Sequence, residues 1–168
     1  ITVKLDKETA PITVANFVSL AQSGFYNNLT FHSAINGMLI QGGDPKGDGS
    51  GSAKETIKGE FATNGHNNYI SHKRGIISMA RGNDKDSASS QFFITHKDLT
   101  RFDGDYAAFG YVINGMNIVD KICQNAVPID NNGKLAKVAE LTADVTGLTL
   151  ENVTFVPGSN AKNMGAFV

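Results

Sequence analysis

Cysteine, tryptophan and excess charge of either sign are what this chain has least of. Its one cysteine, Cys123, excludes an internal disulfide and reads as a small core residue. Tryptophan is absent. The 15 Lys and Arg nearly balance the 16 Asp and Glu, for a net charge of −1, and no basic run is longer than Lys73-Arg74. Nucleic acid and anionic membrane surfaces both ask for a basic patch, so neither is an expected partner. No apolar stretch approaches the ~20 residues with which a helix spans a bilayer. The four histidines, His32, His66, His72 and His96, lack the paired spacing of a metal site, and packing or solvent-facing roles are their default.

What is present describes a folded domain. With 168 residues, 40% of them hydrophobic, the chain is about one domain long and can bury a substantial core. Glycine is frequent, with 18 residues, and Asn-Gly, Asp-Gly and Gly-Ser pairs punctuate short apolar runs. That pattern fits short strands joined by turns. Ile1, Val3 and Leu5 alternate as in a half-buried strand, and Pro11 to Gln22 then switches to helical spacing. Val14, Phe17, Val18 and Ala21 share a helix face, Pro11 suits the first turn, and Gly24 suits the position past the end. Further strands are expected at Thr30 to Ile35, Met38 to Gln41, Gly75 to Ala80, Gln91 to Thr95, Ala108 to Ile113 and Leu148 to Val156. A second helix is expected from about Gly115 to Gln124, with Val119, Ile122 and Cys123 inward. Many strands, two helices and no repeats point to a closed or sandwiched β domain. The chain opens at Ile1 inside a strand-like run, so a preceding segment is expected and the compartment is left open between cytoplasmic and extracytoplasmic.

Two segments carry the functional signal: FHSAINGMLIQGG at Phe31 to Gly43, and SMARGNDKDSASSQFFIT at Ser78 to Thr95. Both resemble signature segments of the cyclophilin family, the peptidyl-prolyl cis-trans isomerases. APITVANF, GFYNNLTFH, IQGGDPKGDGSG and FDGDYAAFG match in the same order, so the resemblance runs from Ile1 to about Cys123. Beyond Asn125 it weakens. It implies an eight-stranded antiparallel barrel closed on itself, capped by two α-helices, over one domain at 1–156. A C-terminal tail or linker at 157–168 would follow.

The implied activity is rotation about X-Pro bonds in peptides and unfolded proteins. Amide resonance sets a barrier of ~18–20 kcal/mol to that rotation. No bond is made or broken, so no metal or cofactor is needed. A catalyst must grip the proline ring in an apolar pocket and aim a donor at the nitrogen of the twisted amide. The resemblance implies that Phe93, Met79, Leu39 and Phe109 form the pocket, with Met38, Ala80, Arg81, Arg101, Phe102 and Tyr106 completing the substrate-contacting set. Gln41 and Gln91 would bind the substrate backbone, and His32 would line the site. Alternation puts Gln91 and Phe93 on one face of their strand, and likewise Leu39 with Gln41 and Met79 with Arg81.

The departures from the family are informative. Where the family reads FHRVIPGFMIQGGD, this chain has Ser33 for the arginine, Asn36 for the proline and Met38 for an aromatic. Ser33 cannot supply the several charged donors of a guanidinium. Deleting one preorganised donor costs ~10²–10³ in turnover, or ~2.7–4 kcal/mol. A reduced isomerase is therefore expected, and a catalytically impaired proline-peptide binding module is the alternative. Ser33 is no nucleophile, since neighbouring His32 would point to the opposite face of the strand. Tyr106 falls where many members have histidine.

Asp44 to Glu55, DPKGDGSGSAKE, mimics a calcium loop, but Lys46 occupies a ligand position and a strand precedes it. It reads as a Gly-rich surface loop. A monomer is expected. Arg101 falls near a position that in some members is a tryptophan important for binding cyclosporin, so weak or no cyclosporin binding is predicted. A titration that saturates below ~1 μM would contradict this.

Overall fold

The computed structural model describes residues 1–125 and 154–156. Seven strands and two helices make the frame, which is mainly β. The strands are β1 Thr2–Leu5, β2 Ser33–Ile35, β3 Leu39–Gly42, β4 Ile76–Met79, β5 Phe92–Thr95, β6 Ala108–Asn114 and β7 Thr154–Val156. Helix α1 spans Pro11–Gln22 and α2 spans Met116–Gln124. Both helices lie where the sequence pattern puts them. Several strands are shorter than expected by one to three residues because the pairing ladder, which apolar alternation does not report, ends sooner.

The strands form one sheet in the order β2-β3-β5-β4-β6-β1-β7. Pairing is antiparallel except at one edge, where β1 and β7 run parallel. This corrects the all-antiparallel expectation at that edge. A strand that follows a long connection is not bound by hairpin geometry and can approach from either direction. Neither the eighth strand nor a pairing between β2 and β7 that would close the ring occurs among the described residues. The first part of the strand expected at Leu148 to Val156, up to residue 153, and the tail at 157–168 lie outside them.

Alternation sorts the sheet into an inner and an outer face. Val3, Leu5, Ala34, Ile40, Ile77, Met79, Phe92, Ile94 and Phe109 all belong to one buried cluster. Helix α1 contributes Thr13, Val14 and Phe17 to the interior. The Phe17 ring lies 5.2 Å from Phe92, edge-on, and 5.2 Å from Phe109. Such ring pairs add to what burial alone contributes. Helix α2 packs Val119, Ile122 and Cys123 against β2 and β3. Burial pushes the Cys123 thiol up to about 12, which makes it inert.

Gly43 shows why the strand-to-loop corner after β3 needs a glycine. Its φ is +85°, and a side chain there would run into the carbonyl of Ser90. Ser90 in turn ties the corner down: its hydroxyl donates to the Gly43 carbonyl at 2.8 Å and accepts from the Ala53 N–H at 2.9 Å. This fixes where the loop beginning at Asp44 leaves the sheet.

The start of α1 has no local cap: Ala10 occupies the capping position and Pro11 the first turn. Glu60, far along the chain and 1% exposed, performs that role. Its carboxylate accepts from the Ile12 N–H at 3.0 Å, the Thr13 N–H at 2.7 Å and the Thr13 hydroxyl at 2.7 Å. The anion also sits at the positive end of the helix. Glu60→Ala leaves these donors buried and unpaired, so it should cost about 3 kcal/mol in urea unfolding. Glu60→Gln, which keeps the shape and part of the bonding, should cost less. A loss below about 1 kcal/mol for the alanine variant would contradict the capping role.

Candidate active site

Strand pairing assembles the outer face from residues distant in sequence. Ser33 faces Gln41, Gln41 faces Phe93, Leu39 faces Thr95, and Phe93 faces Ser78. Directly paired residues project to the same side of a sheet. On that side Leu39, Phe93 and Leu99 form a second buried apolar cluster, with Ile35, Met38, Ala80, Phe102 and Tyr106 packed half-exposed around it. The Phe93 ring meets Phe102 at 5.7 Å and Tyr106 at 5.8 Å, both edge-on, and Phe102 lies 4.9 Å from Tyr106. The result is a three-ring apolar surface set in the sheet and open through half-buried neighbours.

Beneath Phe93 runs a buried polar chain. The His72 imidazole stacks on the Phe93 ring at 6.0 Å with an interplanar angle of 20°. Its Nδ1 meets the Asp103 carboxylate at 2.9 Å, and its Nε2 meets the Ser78 hydroxyl at 2.9 Å. A neutral ring that donates to Asp103 and accepts from Ser78 satisfies both contacts. Asp103 also accepts from the His72 N–H and the Ser71 hydroxyl. Although burial opposes it, these bonds hold the Asp103 carboxyl below the usual range. Ser78 and His72 are both fully buried, so the array lies under Phe93 and supports its ring through the His72 stack.

The polar rim is already internally bonded. The Gln41 amide donates to the Gln91 side-chain oxygen at 2.8 Å, and Gln91 donates to the carbonyls of Gly49 and Gly51. Asp44 holds this loop by accepting the N–H groups of Lys46, Asp48 and Gly49. Burial disfavours its charge, yet the loop amides keep its carboxyl below the ordinary value. The loop is thus organised by its own aspartate, which accepts backbone N–H groups from three of its residues.

Ser33 is 1% exposed and His32 is 7% exposed. The Ser33 Oγ and His32 Nδ1 have no hydrogen-bond partner among the described residues. Burial lowers the His32 pKa, with Asp44 and Asp48 acting weakly in the other direction. Arg81 is pinned rather than free to swing. Its guanidinium lies 4.9 Å from the Tyr106 ring centre and 5.1 Å from that of Phe61, and it donates to the carbonyls of Asp105 and Gly82. Arg101 lies 5.1 Å over the Phe102 ring and 3.6 Å from the Met38 sulfur.

The structure therefore brings together Met38, Leu39, Gln41, Ala80, Arg81, Gln91, Phe93, Arg101, Phe102 and Tyr106. Met79 and Phe109 are corrected: both face the interior with Phe92, because Ser78, not Met79, pairs with Phe93, and Ala108, not Phe109, pairs with Ser78. A one-residue offset moves a side chain to the other face. His72, Asp103, Leu99 and Ile35 were not singled out in the sequence. The His72–Asp103 contact joins positions 31 residues apart, and no local pattern announces it.

Comparison with known proteins agrees with this geometry. A family model described as cyclophilin type peptidyl-prolyl cis-trans isomerase/CLD matches residues 1–144. A peptidyl-prolyl cis-trans isomerase of Helicobacter pylori is 43% identical over 129 residues, covering 76% of this chain and 76% of that protein. Peptidyl-prolyl cis-trans isomerase B of Bacillus subtilis is 42% identical over 124 residues, covering 74% and 83%. A crystal structure of a Cryptosporidium parvum cyclophilin type isomerase in the presence of the dipeptide Ala-Pro superposes with a TM-score of 0.68. It is 32% identical, and the match covers 80% of this chain and 87% of that one.

Three histidines make the fold acid-sensitive. His32, His72 and His96 are all held below the ordinary histidine range, with burial the largest cause in each. The unfolded chain then takes up protons at these positions first. Their contribution to stability is complete above ~6.5 and is lost as pH falls through the lowered values. The urea midpoint should be flat between about pH 7 and 8 and decline from about pH 6.5 downward. A midpoint that rises on acidification would contradict this.

Proposed function

This chain belongs to the cyclophilin-type peptidyl-prolyl cis-trans isomerase family, and from that premise we propose that it rotates X-Pro bonds without the usual guanidinium donor. Its substrates are proline-containing peptides and the unfolded or flexible segments of proteins, so it acts as a folding helper. The observation that carries this reading is the Leu39–Phe93–Leu99 cluster, edged by Phe102, Tyr106 and Met38 and flanked by Gln41 and Gln91. A proline ring has the size and apolarity to sit against such a surface. The family membership also supports reading the seven-strand order as the wall of an eight-stranded barrel.

The chemistry follows from the amide. Planar X-Pro owes its barrier to charge-separated resonance, and a desolvated apolar surface disfavours that form. Fixing the ring while the preceding carbonyl turns leaves rotation free. Gln41 and Gln91 would have to trade their mutual bond for bonds to the substrate backbone. That exchange is close to neutral in number of hydrogen bonds and so costs little. What is lacking is a donor at the pyrrolidine nitrogen. The Ser33 side chain is short, uncharged and buried, whereas a donor for the twisted amide must reach the substrate.

The burial of Ser33 also favours a second reading, a binding module that holds proline segments with little turnover. Equal affinity for planar and twisted amides gives binding without rate. Turnover by the natural chain separates the two readings, and Ser33→Arg locates the deficit. If an arginine there reaches the substrate, kcat/KM should rise by ~10²–10³. The measurement is exchange NMR on an Ala-Pro peptide with each variant, after checking that both fold. An unchanged kcat/KM in a well-folded Ser33→Arg variant would contradict a deficit located at Ser33.

A further inference from the structure

The two arginines beside the three-ring surface are held in place without a carboxylate partner. Arg101 belongs to the turn Thr100–Phe102, is exposed, and holds its guanidinium carbon over the Phe102 ring, 5.1 Å from the ring centre. One of its terminal nitrogens reaches Met38 Sδ at 3.6 Å. Phe102 and Met38 both belong to the cluster around Phe93. Arg81 sits on the neighbouring ring, Tyr106, at 4.9 Å, and spends its bonds on two backbone carbonyls. Neither arginine enters an ion pair among the described residues.

The nearby carboxylates have other partners. Asp103 serves Ser71 and His72, and Asp105 accepts from the Thr63 hydroxyl at 2.9 Å. A guanidinium carries five N–H donors in a planar fork that matches a carboxylate. Stacking on a ring fixes that plane while leaving most of the donors outward. A peptide whose proline rests on the Phe93 cluster would lay its flanking residues beside this fork.

We propose that Arg101, supported by Arg81, selects X-Pro segments with an acidic residue adjacent to the proline. The inference rests on the proline-peptide reading above and names its substrate class. Arg101 is a specificity-determining residue here: its charge acts on the flanking side chain. The interaction is solvent-exposed, so it is modest and sensitive to salt.

Exchange NMR with Ala-Glu-Pro-Ala, Ala-Gln-Pro-Ala and Ala-Lys-Pro-Ala tests this, together with the series that carries the variable residue just after the proline. In one or both series, kcat/KM should favour Glu over Lys by ~5–10-fold at low salt, shrinking to under ~2-fold near 0.5 M salt. Arg101→Gln should bring the low-salt ratio below ~2-fold, and Arg101→Lys should restore part of it. If the peptides are bound without turnover, the same ratios are expected in Kd. Equal handling of Glu, Gln and Lys peptides would overturn the selection and leave the isomerase reading standing. A preference that survives Arg101→Gln would overturn the assignment to Arg101. Absence of both binding and turnover for the Gln peptide would defeat the proline-peptide reading, and this inference with it.

Discussion

The register of β5 between β3 and β4 is the constraint on which the rest depends. It sends Phe92 inward against Phe17 and Phe109, and Phe93 outward against Phe102 and Tyr106. Two adjacent phenylalanines thereby serve opposite faces of one four-residue strand. The inner ring anchors the main core, while the outer one makes the surface on which a proline could rest. A slip of β5 by one residue would exchange these roles and turn Ile94, now in the interior cluster, outward with Phe92. Pairing on both flanks, plus α1 and α2 packed on the interior, makes that slip costly.

Local signals made some features readable in the sequence and left others silent. Helix α1 was legible at both ends because Pro11 and Gly24 mark its first turn and the turn beyond it, Gly24 with a φ of +75°. The outer-face residues Leu39, Gln41, Gln91 and Phe93 were legible through the family motifs, and alternation correctly grouped them in pairs. Alternation gives relative faces within one strand only. Which strand face meets which neighbour depends on pairing, and the resemblance that put Met79 and Phe109 in the pocket did not carry that pairing, which places both in the interior cluster. Glu60 as the cap of α1 and His72 as the support of Phe93 are tertiary contacts between distant segments. No spacing rule reaches them. Ser33 was legible as an absence, but its burial was not, because exposure depends on what lies across from it.

Catalysis here asks for little chemistry and much positioning. A barrier of ~18–20 kcal/mol is crossed by rotation alone, so the useful parts are an apolar grip, freedom for the turning carbonyl and stabilisation of a basic nitrogen. In the proposed reading the first is supplied by Phe93 and its ring neighbours Phe102 and Tyr106. The buried Ser78–His72–Asp103 chain keeps that floor flat by stacking against it. In the proposed reading the third part is the weak one, since Ser33 is uncharged, short and buried. Arg81 and Arg101 bring cations to the same side, but both are committed to aromatic rings at the edge of the surface. Their placement suits a flanking residue better than the proline nitrogen.

The central claim is that this face accelerates rotation and does not merely hold proline. The most direct measurement is two-dimensional exchange NMR on an Ala-Pro peptide with a small molar fraction of the natural chain. Cross-peaks between the cis and trans signals that grow with added protein, far above the uncatalysed exchange of tens to hundreds of seconds, are the predicted result. Peptide resonances that shift on binding while the exchange rate stays at its uncatalysed value would contradict it.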